Sequence, residues 1–226
     1  MEDAAARAAA QVLLSTWENG GRIPALPQAS RPSSRGEGYA VQSALQSLSG
    51  DGLAGWKIAA TSPAGQAHIG VDGPLAGRLL SGRVRPSGST LALAGNHMRV
   101  AEPEFAFRMA RDLLPRSQPY AMEEVLECAS TLHPALEVPD SRYEDFARVG
   151  AAQLIADNAC AHYFVLGDPR AALTWLANEL RALGVGLRSG QVVTTGTCMT
   201  PLELHAGDQV RADFGVLGVV EARFES

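Results

Sequence analysis

The sequence has 226 residues, of which 46% are hydrophobic and 19% are charged, and its formal net charge is −5. This is the composition of an ordinary globular protein, long enough to bury one sizeable core. With no basic run and no apolar stretch of membrane-spanning length, we expect neither a nucleic acid nor a membrane as a partner.

The first residues, "MEDAAARAAAQVLLSTW", predict a helix over residues 3 to 17. A signal peptide needs basic charge at its start, whereas this segment begins with acidic residues and Arg7 interrupts its apolar part. We therefore expect a cytoplasmic protein. The odd number and wide spacing of the cysteines favour reduced thiols over disulfides or a zinc site. These residues are Cys128, Cys160 and Cys198.

A connector rich in Pro, Ser and Gly, "PALPQASRPSSRGEG", follows the first helix. Ser34 and Glu37 have the spacing of a capping box, which predicts the start of a second helix through "GYAVQSALQSL". We interpret residues 1–50 as a helical N-terminal region and residues 51–226 as the main domain. Short alternating segments from Gly55 to about Glu137 predict a sheet crossed by loops, with a helix at 122 to 131.

The clearest helix is predicted in "DPRAALTWLANELRALG". Asp168 can cap it, Pro169 suits its first turn and Gly184 ends it. Its apolar stripe consists of Leu173, Leu176, Leu180 and Leu183. The end of the chain predicts a hairpin of "DQVRADF" and "VVEARF" around "GVLG". Together these elements predict the α+β class.

The segment "VAEPEFAF" carries two glutamates in a stretch that otherwise resembles a buried strand. If residues 98 to 108 form a strand, Glu102 and Glu104 share one face, with backbone anchors roughly 6.6 Å apart. Two ionised groups at about 6 Å repel by roughly 3 kcal/mol at an effective dielectric near 20, and a cation between them reverses that penalty. Pro103 indicates an edge or bulged strand. The alternative is an edge strand with both glutamates in water.

Six stretches in the same order resemble the 2-hydroxypenta-2,4-dienoate hydratase and 4-oxalocrotonate decarboxylase branch of the fumarylacetoacetate hydrolase superfamily. They are "AGWKIAATSPAGQAHIGVDGPLAGRLL", "VAEPEFAFRMARDL", "LHPALEVPDSRYEDF", "IADNACAHYFVLG", "WLANELRALGVGLRSGQVVTTGT" and "HAGDQVRADFGVLGVVEARF". The resemblance runs from about Tyr39 to the end of the chain. It implies a mixed β-sheet roll with flanking helices and a small helical N-terminal region, with residues 51–226 as the catalytic domain.

By this resemblance, the divalent metal site falls on Glu102, Glu104 and Glu137. Three carboxylates without a nearby His or Cys form a hard oxygen site, so Mg²⁺ or Mn²⁺ is expected before zinc. With a dication the three carboxylates leave one negative charge, which Lys57 could neutralise. The family places an active-site lysine at Lys57, in "GWKIA". A surface lysine on a strand is the alternative.

Two further residues are candidates for substrate binding. Thr197, in "TTGT", matches a loop that contacts the substrate in the superfamily, although a turn threonine has the same pattern. Asp140, in "VPDSR", could orient Glu137 or Arg142, or it could serve ordinary turn chemistry. The family segment "ADNA" contains Asp157 and Asn158, which we expect to fix loop backbone rather than to take part in chemistry.

The resemblance implies a hydratase of aromatic-compound catabolism that adds water to a 2-hydroxy-2,4-dienoate and yields a 4-hydroxy-2-oxo acid. Its substrate would be a small 2-oxo or 2-hydroxy acid, its cofactor Mg²⁺ or Mn²⁺, and its assembly a homo-oligomer. Three alternatives stay open. They are a decarboxylase, a C–C hydrolase of a related 2-oxo acid, and a non-catalytic subunit that stabilises a partner enzyme.

The sequence departs from the family pattern in two places. Family members usually have a few dozen more residues between "FVLG" and the helix that begins near Asp168, and we expect their loss to open one side of the pocket. The family also often has a polar residue and an aromatic residue where this chain has Leu75 and Ala76. We therefore expect a different or larger 2-oxo acid as the substrate.

Overall fold

The computed structural model of the protein describes residues 1–86, 88–161, 169–197, 202–213 and 219–225. Within these ranges the α-helices are α1 (Asp3–Glu18), α2 (Arg35–Ser49), α3 (Pro63–His68), α4 (Met122–Leu126), α5 (Ala151–Ala156) and α6 (Pro169–Ala182). The strands are β1 (Leu53–Ala59), β2 (Leu75–Leu80), β3 (Ser89–Ala92), β4 (Val100–Met109), β5 (Ala129–Glu137), β6 (Val192–Thr197), β7 (Leu202–Glu203), β8 (Gln209–Asp213) and β9 (Val219–Glu225). None of the described helices is long and apolar enough to cross a membrane.

The N-terminal helices α1 and α2 pack together through small and branched apolar side chains, among them Leu13 and Leu45. Ser34 caps α2, because its hydroxyl accepts a hydrogen bond of 3.3 Å from the Glu37 N–H. The Glu37 carboxylate accepts from the Ser33 N–H, at 2.7 Å, so only half of the predicted capping box forms. The predicted helices of this region are therefore confirmed.

Two sheets form the rest of the fold. The larger sheet has the strand order β2-β1-β6-β4-β5, and the short β7 pairs with the start of β4. In it β1 and β6 run parallel, while its other pairs are antiparallel. The smaller sheet has the order β3-β9-β8 and includes the predicted C-terminal pair of strands. Mixed sheets with flanking helices confirm the α+β prediction, whereas the predicted turn "GVLG" lies outside the described residues.

One face of the larger sheet carries the main hydrophobic core. Trp56, Phe107 and Val193 come from three neighbouring strands and are almost fully buried there. The predicted leucine stripe of α6 packs against them through Leu173, Leu176 and Leu180, while Leu183 follows the end of the helix. The predicted cap Asp168 lies outside the described residues. Because side chains alternate along a strand, the residues between these core positions face the other side of the sheet.

The sequence predicted an edge or bulged strand at Pro103, and the edge alternative was wrong. The predicted edge strand β4 lies inside the sheet, between β5 and β6. Pro103 is tolerated because pairing beside it passes from β6, with Thr197 opposite Glu104, to β7, with Leu202 opposite Ala101. The proline therefore lies at a break in the ladder, where a missing donor costs least. A register shift after Glu104 agrees with the predicted bulge.

The helix predicted at 122 to 131 is shorter than expected. α4 ends at Leu126, and β5 begins at Ala129. The residues from 129 onward pair with β4, because Met109 stands opposite Ala129. Tertiary pairing with a long central strand therefore overrides the helical pattern of the local sequence.

Candidate metal centre

Three glutamates meet on the face of the larger sheet opposite the main core. Glu102 and Glu104 lie on β4 with one residue between them, and Glu137 is the last residue of β5. Each can offer one carboxylate oxygen to a group whose members lie within 4.8 Å of one another. Their exposed fractions are 0%, 0% and 9%, which excludes the alternative of solvated glutamates.

The electrostatics of this cluster are unfavourable for the bare protein. Burial raises the pKa of Glu137 well above its usual value, and Glu104 and Glu102 raise it further, against the opposing charge of Lys57. Both carboxylate oxygens of Glu137 are buried, and among the described residues neither accepts a hydrogen bond of good geometry. A cation would satisfy these buried oxygens and cancel the repulsion. The donor set, carboxylate oxygen alone, fits a hard divalent metal ion.

Lys57 is the only lysine in the sequence, beside 18 arginines. It lies on β1 with an exposed fraction of 0%, so the alternative of a surface lysine is excluded. Its Nζ is 3.4 Å from Glu137 Oε1 and donates to the carbonyl oxygen of Ala159 at 3.5 Å. Burial lowers the pKa of the Lys57 ammonium, while Glu137, Glu104 and Glu102 oppose that shift. The structure thus brings the lysine and the three glutamates together.

The two predicted substrate-binding residues fall in different places. The backbone of Thr197 stands opposite Glu104 in the β4–β6 pair, and its side chain lies outside the described part of the structure. Asp140 does not hold Glu137 or Arg142 by any described hydrogen bond. Its carboxylate instead forms an ion pair with Arg22 and accepts from the N–H of His97 at 3.0 Å. Asp140 therefore anchors the loop before β4, and the predicted orienting contact is corrected to this one.

Asp157 orients Arg142 in the way that the sequence had suggested for Asp140. Its carboxylate accepts from the Arg142 Nε–H, from the Arg142 backbone N–H at 3.1 Å and from the Ser141 hydroxyl at 2.8 Å. The pair is buried, and the Arg142 guanidinium also lies 4.5 Å from the ring centroid of Trp17. This arrangement agrees with the expected backbone-fixing role of the "ADNA" segment.

Sequence reasoning missed Thr194, which shares the face of the glutamates. Ala106 pairs with Thr194, and Trp56 pairs with Val193, so alternation places Lys57 and Thr194 on the same side. The Thr194 hydroxyl is buried and has no hydrogen-bond partner among the described residues. Alternation within "VVTTGT" could have indicated a polar face, but not which neighbours that face would meet.

Comparisons with known proteins agree with the resemblance found in the sequence. No family model matches the chain. It is 29% identical to 2-keto-4-pentenoate hydratase of Burkholderia vietnamiensis, over 82% of this chain and 84% of the relative. It is 28% identical to 2-keto-4-pentenoate hydratase of Paraburkholderia xenovorans, over 96% of this chain and 94% of the relative. That second alignment spans 256 positions, so at least 30 of them carry no residue of this 226-residue chain.

Among solved structures, 4-oxalocrotonate decarboxylase from Pseudomonas putida G7, complexed with magnesium and adipate, superposes with a TM-score of 0.88. The sequence identity is 22%, and the match covers 99% of this chain and 98% of the decarboxylase. Similarity of this degree establishes a shared fold. In sequence, the chain is therefore similar to 2-keto-4-pentenoate hydratases, and it shares its fold with 4-oxalocrotonate decarboxylase.

Proposed function

We propose that the protein is a metal-dependent hydratase that adds water to a 2-hydroxy-2,4-dienoate and produces a 4-hydroxy-2-oxo acid. The observation that carries this proposal is the buried set of Lys57, Glu102, Glu104 and Glu137, in which Lys57 Nζ lies 3.4 Å from Glu137 Oε1. Relatives named hydratases, at 29% and 28% identity, support the reaction class. We assign the reaction to the catabolism of aromatic compounds.

The charges of the site suit an anionic substrate. Glu102, Glu104 and Glu137 would hold Mg²⁺ or Mn²⁺, and the bound ion would supply positive charge for the substrate's carboxylate and 2-oxygen. The formal charges of the three carboxylates, one dication and the Lys57 ammonium sum to zero. A substrate carboxylate can therefore enter without meeting a net negative site.

Hydration moves protons as well as water. The 2-hydroxyl of the dienoate loses its proton, the carbon chain gains one, and water adds at the conjugated carbon. Lys57 would hold or transfer a proton beside the 2-oxygen, because it lies with the three glutamates and burial lowers the pKa of its ammonium, which eases proton donation. Buried Thr194 offers a second polar contact on the same face.

Decarboxylation is the second candidate, since the decarboxylase fold matches over 99% of this chain. The same positive charges would stabilise the negative charge that develops on the substrate when CO₂ leaves a 2-oxo acid. A non-catalytic subunit is disfavoured by the glutamates themselves. In a non-catalytic subunit, three buried carboxylates that repel one another would destabilise the fold without serving a reaction.

The deciding experiment incubates the purified protein with Mg²⁺ and either 2-hydroxypenta-2,4-dienoate or oxalocrotonate, and follows the conjugated chromophore and CO₂ separately. We expect loss of the chromophore without CO₂. Release of CO₂ would assign the protein to the decarboxylases, and no turnover of either compound would favour the subunit. Glu104→Gln protein serves as the control for a reaction that needs the cluster.

Two further features belong to this proposal. We place the activity in the cytoplasm, because the described cysteines Cys128 and Cys160 are buried free thiols, as is usual in a reducing compartment. We also propose a homo-oligomer, as the family resemblance implies. The expected opening of the pocket concerns residues 162–168, which lie outside the described residues, and it stays a prediction.

A further inference from the structure

The Lys57 ammonium contacts backbone as well as carboxylate. The carbonyl oxygen that accepts its hydrogen bond belongs to Ala159. Ala159 is the middle of three consecutive residues with positive φ: 55° at Asn158, 51° at Ala159 and 49° at Cys160. We call Asn158–Cys160 the left-handed turn. Residues with a side chain avoid this conformation, so three in succession persist only where the surroundings hold them.

Asp157 holds the start of the left-handed turn. Its carboxylate is bound by Ser141 and Arg142, and its carbonyl oxygen accepts from Arg142 Nη2 at 2.5 Å and from the Cys160 N–H at 3.1 Å. Asp157 has an exposed fraction of 0%, and Arg142 and the turn are buried with it. Both ends of the turn are thus tied to one buried ion pair, which fixes the direction of the Ala159 carbonyl.

Gly77 on β2 completes the surroundings of Lys57 from the other side. It stands directly opposite Lys57 in the β1–β2 pair. A Cβ at Gly77 would lie 2.8 Å from Lys57 Cδ, 2.9 Å from Lys57 Cγ and 2.3 Å from the Asn158 carbonyl oxygen. The missing side chain is therefore what allows the lysine stem and the left-handed turn to approach β2 together.

We propose that Gly77 and the left-handed turn, locked by Asp157, are positioning elements that set where the Lys57 ammonium sits relative to the three glutamates. For turnover this inference rests on the proposed function; for the position of Lys57 it rests on the contacts alone. A proton donor displaced by about 1 Å can lose roughly 10²-fold in rate, because reacting atoms need close and aligned contact. A turn that only stabilised the fold would leave the rate constant of the folded protein unchanged.

The test compares Gly77→Ala with Gly73→Ala. A Cβ at Gly73 has no atom within 4 Å, so this control adds the same methyl group in open space. For Gly77→Ala in Mg²⁺ we expect kcat to fall at least about tenfold, KM to change by less than about threefold, and Mg²⁺ affinity to stay within about threefold. Equal kcat for the two folded variants would overturn the proposal.

A second readout does not need the substrate. Because Lys57 is the only lysine, ¹³C-lysine labelling gives one side-chain NMR signal that reports on this residue alone. We expect that signal to shift in Gly77→Ala and to stay in place in Gly73→Ala. If the wild type turns over neither test compound, the proposed function fails, and this signal still decides the positioning. An unshifted signal in folded Gly77→Ala would contradict it.

Asn158 provides a second variant pair if Gly77→Ala does not fold. Asn158→Gly tolerates positive φ, whereas Asn158→Val is β-branched and disfavours it; both lose the contact of Asn158 Oδ1 with the Arg78 N–H at 3.4 Å. We expect the lysine signal to move further in Asn158→Val than in Asn158→Gly, and kcat to fall in the same order. The reverse order, or no difference, would show that the turn does not position Lys57.

Discussion

Glu102 and Glu137 stand directly opposite each other in the antiparallel pair of β4 and β5. Like charges in this relationship destabilise a sheet, because their side chains project from the same face at close range. Glu104 adds a third carboxyl group to the same buried space. The protein therefore carries a local instability in its larger sheet, which a bound dication would remove.

The first prediction concerns metal binding. Glu104→Gln keeps the shape of the side chain and removes one charge, so we expect Mg²⁺ affinity to fall at least about 100-fold, as is typical when a metal ligand or its close support is lost. Calorimetry with Mg²⁺ and Mn²⁺ measures it. In the metal-free state we expect the same variant to melt at a higher temperature than the wild type, because repulsion is relieved.

Glu123→Gln is the matched control, since Glu123 lies on α4, away from the cluster. Its affinity for Mg²⁺ should equal that of the wild type. Equal affinity in Glu104→Gln would contradict the assignment of the metal site.

The second prediction separates catalysis from binding at Lys57. Lys57→Met keeps the length and apolar stem and deletes the charge and the proton. We expect turnover to fall by roughly 10² or more, if Lys57 transfers the proton in the rate-limiting step. Metal affinity should stay within a few-fold or rise, because a cation beside the site has gone. A variant that keeps most of its turnover would show that Lys57 is structural.

The third prediction concerns Thr194, whose buried hydroxyl has no partner among the described residues. Thr194→Val replaces it with a methyl group, so we expect the free energy of unfolding to rise by about 1 kcal/mol in urea denaturation. We expect KM to rise several-fold with kcat little changed, because the hydroxyl faces the side of the glutamates. Thr131→Val is the control, since the Thr131 hydroxyl already bonds His133 at 2.7 Å. A destabilised Thr194→Val would show that the hydroxyl has a partner.

The fourth prediction is a pH dependence at the surface. Arg116 donates to both oxygens of Glu124, at 2.9 and 2.7 Å, and with the Ala121 N–H this lowers the pKa of Glu124 from 4.5 to about 2. A carboxyl group whose pKa is lower in the folded state than in the unfolded state stabilises the fold at pH values above the unfolded-state pKa. That stabilisation is lost as the pH falls towards 2. Carboxyl NMR should give a midpoint near 2, rising in Arg116→Gln. A midpoint near 4.5 in the wild type would refute it.

The sequence predicted the local half of the site. Alternation along β4 placed Glu102 and Glu104 on one face, and that depends only on the two-residue period of a strand. The family resemblance added Glu137 and Lys57, which lie far away in the sequence. Pairing register decides that Glu137 meets Glu102 and that Gly77 meets Lys57, and register is set by long-range contacts.

The failures of prediction have the same origin. Pro103 indicated an edge or bulged strand, because a proline cannot donate to a sheet. The register shift after Glu104 agrees with the bulge, but β4 is an interior strand, and the proline lies where its neighbour changes from β6 to β7. Asp140 was predicted to orient Glu137 or Arg142, yet its carboxylate forms an ion pair with Arg22 of the N-terminal region. Each error concerns a partner from a distant part of the chain, which local patterns do not specify.

The three glutamates differ in how firmly the backbone holds them. β4 has neighbours on both sides, whereas β5 is the last strand of its sheet in the described structure, and Glu137 is the last residue of β5. Strand ends at a sheet border open at lower free energy than interior strands. An ion at this site would therefore leave when one strand end frays, and its exchange with solvent would be much faster than global unfolding.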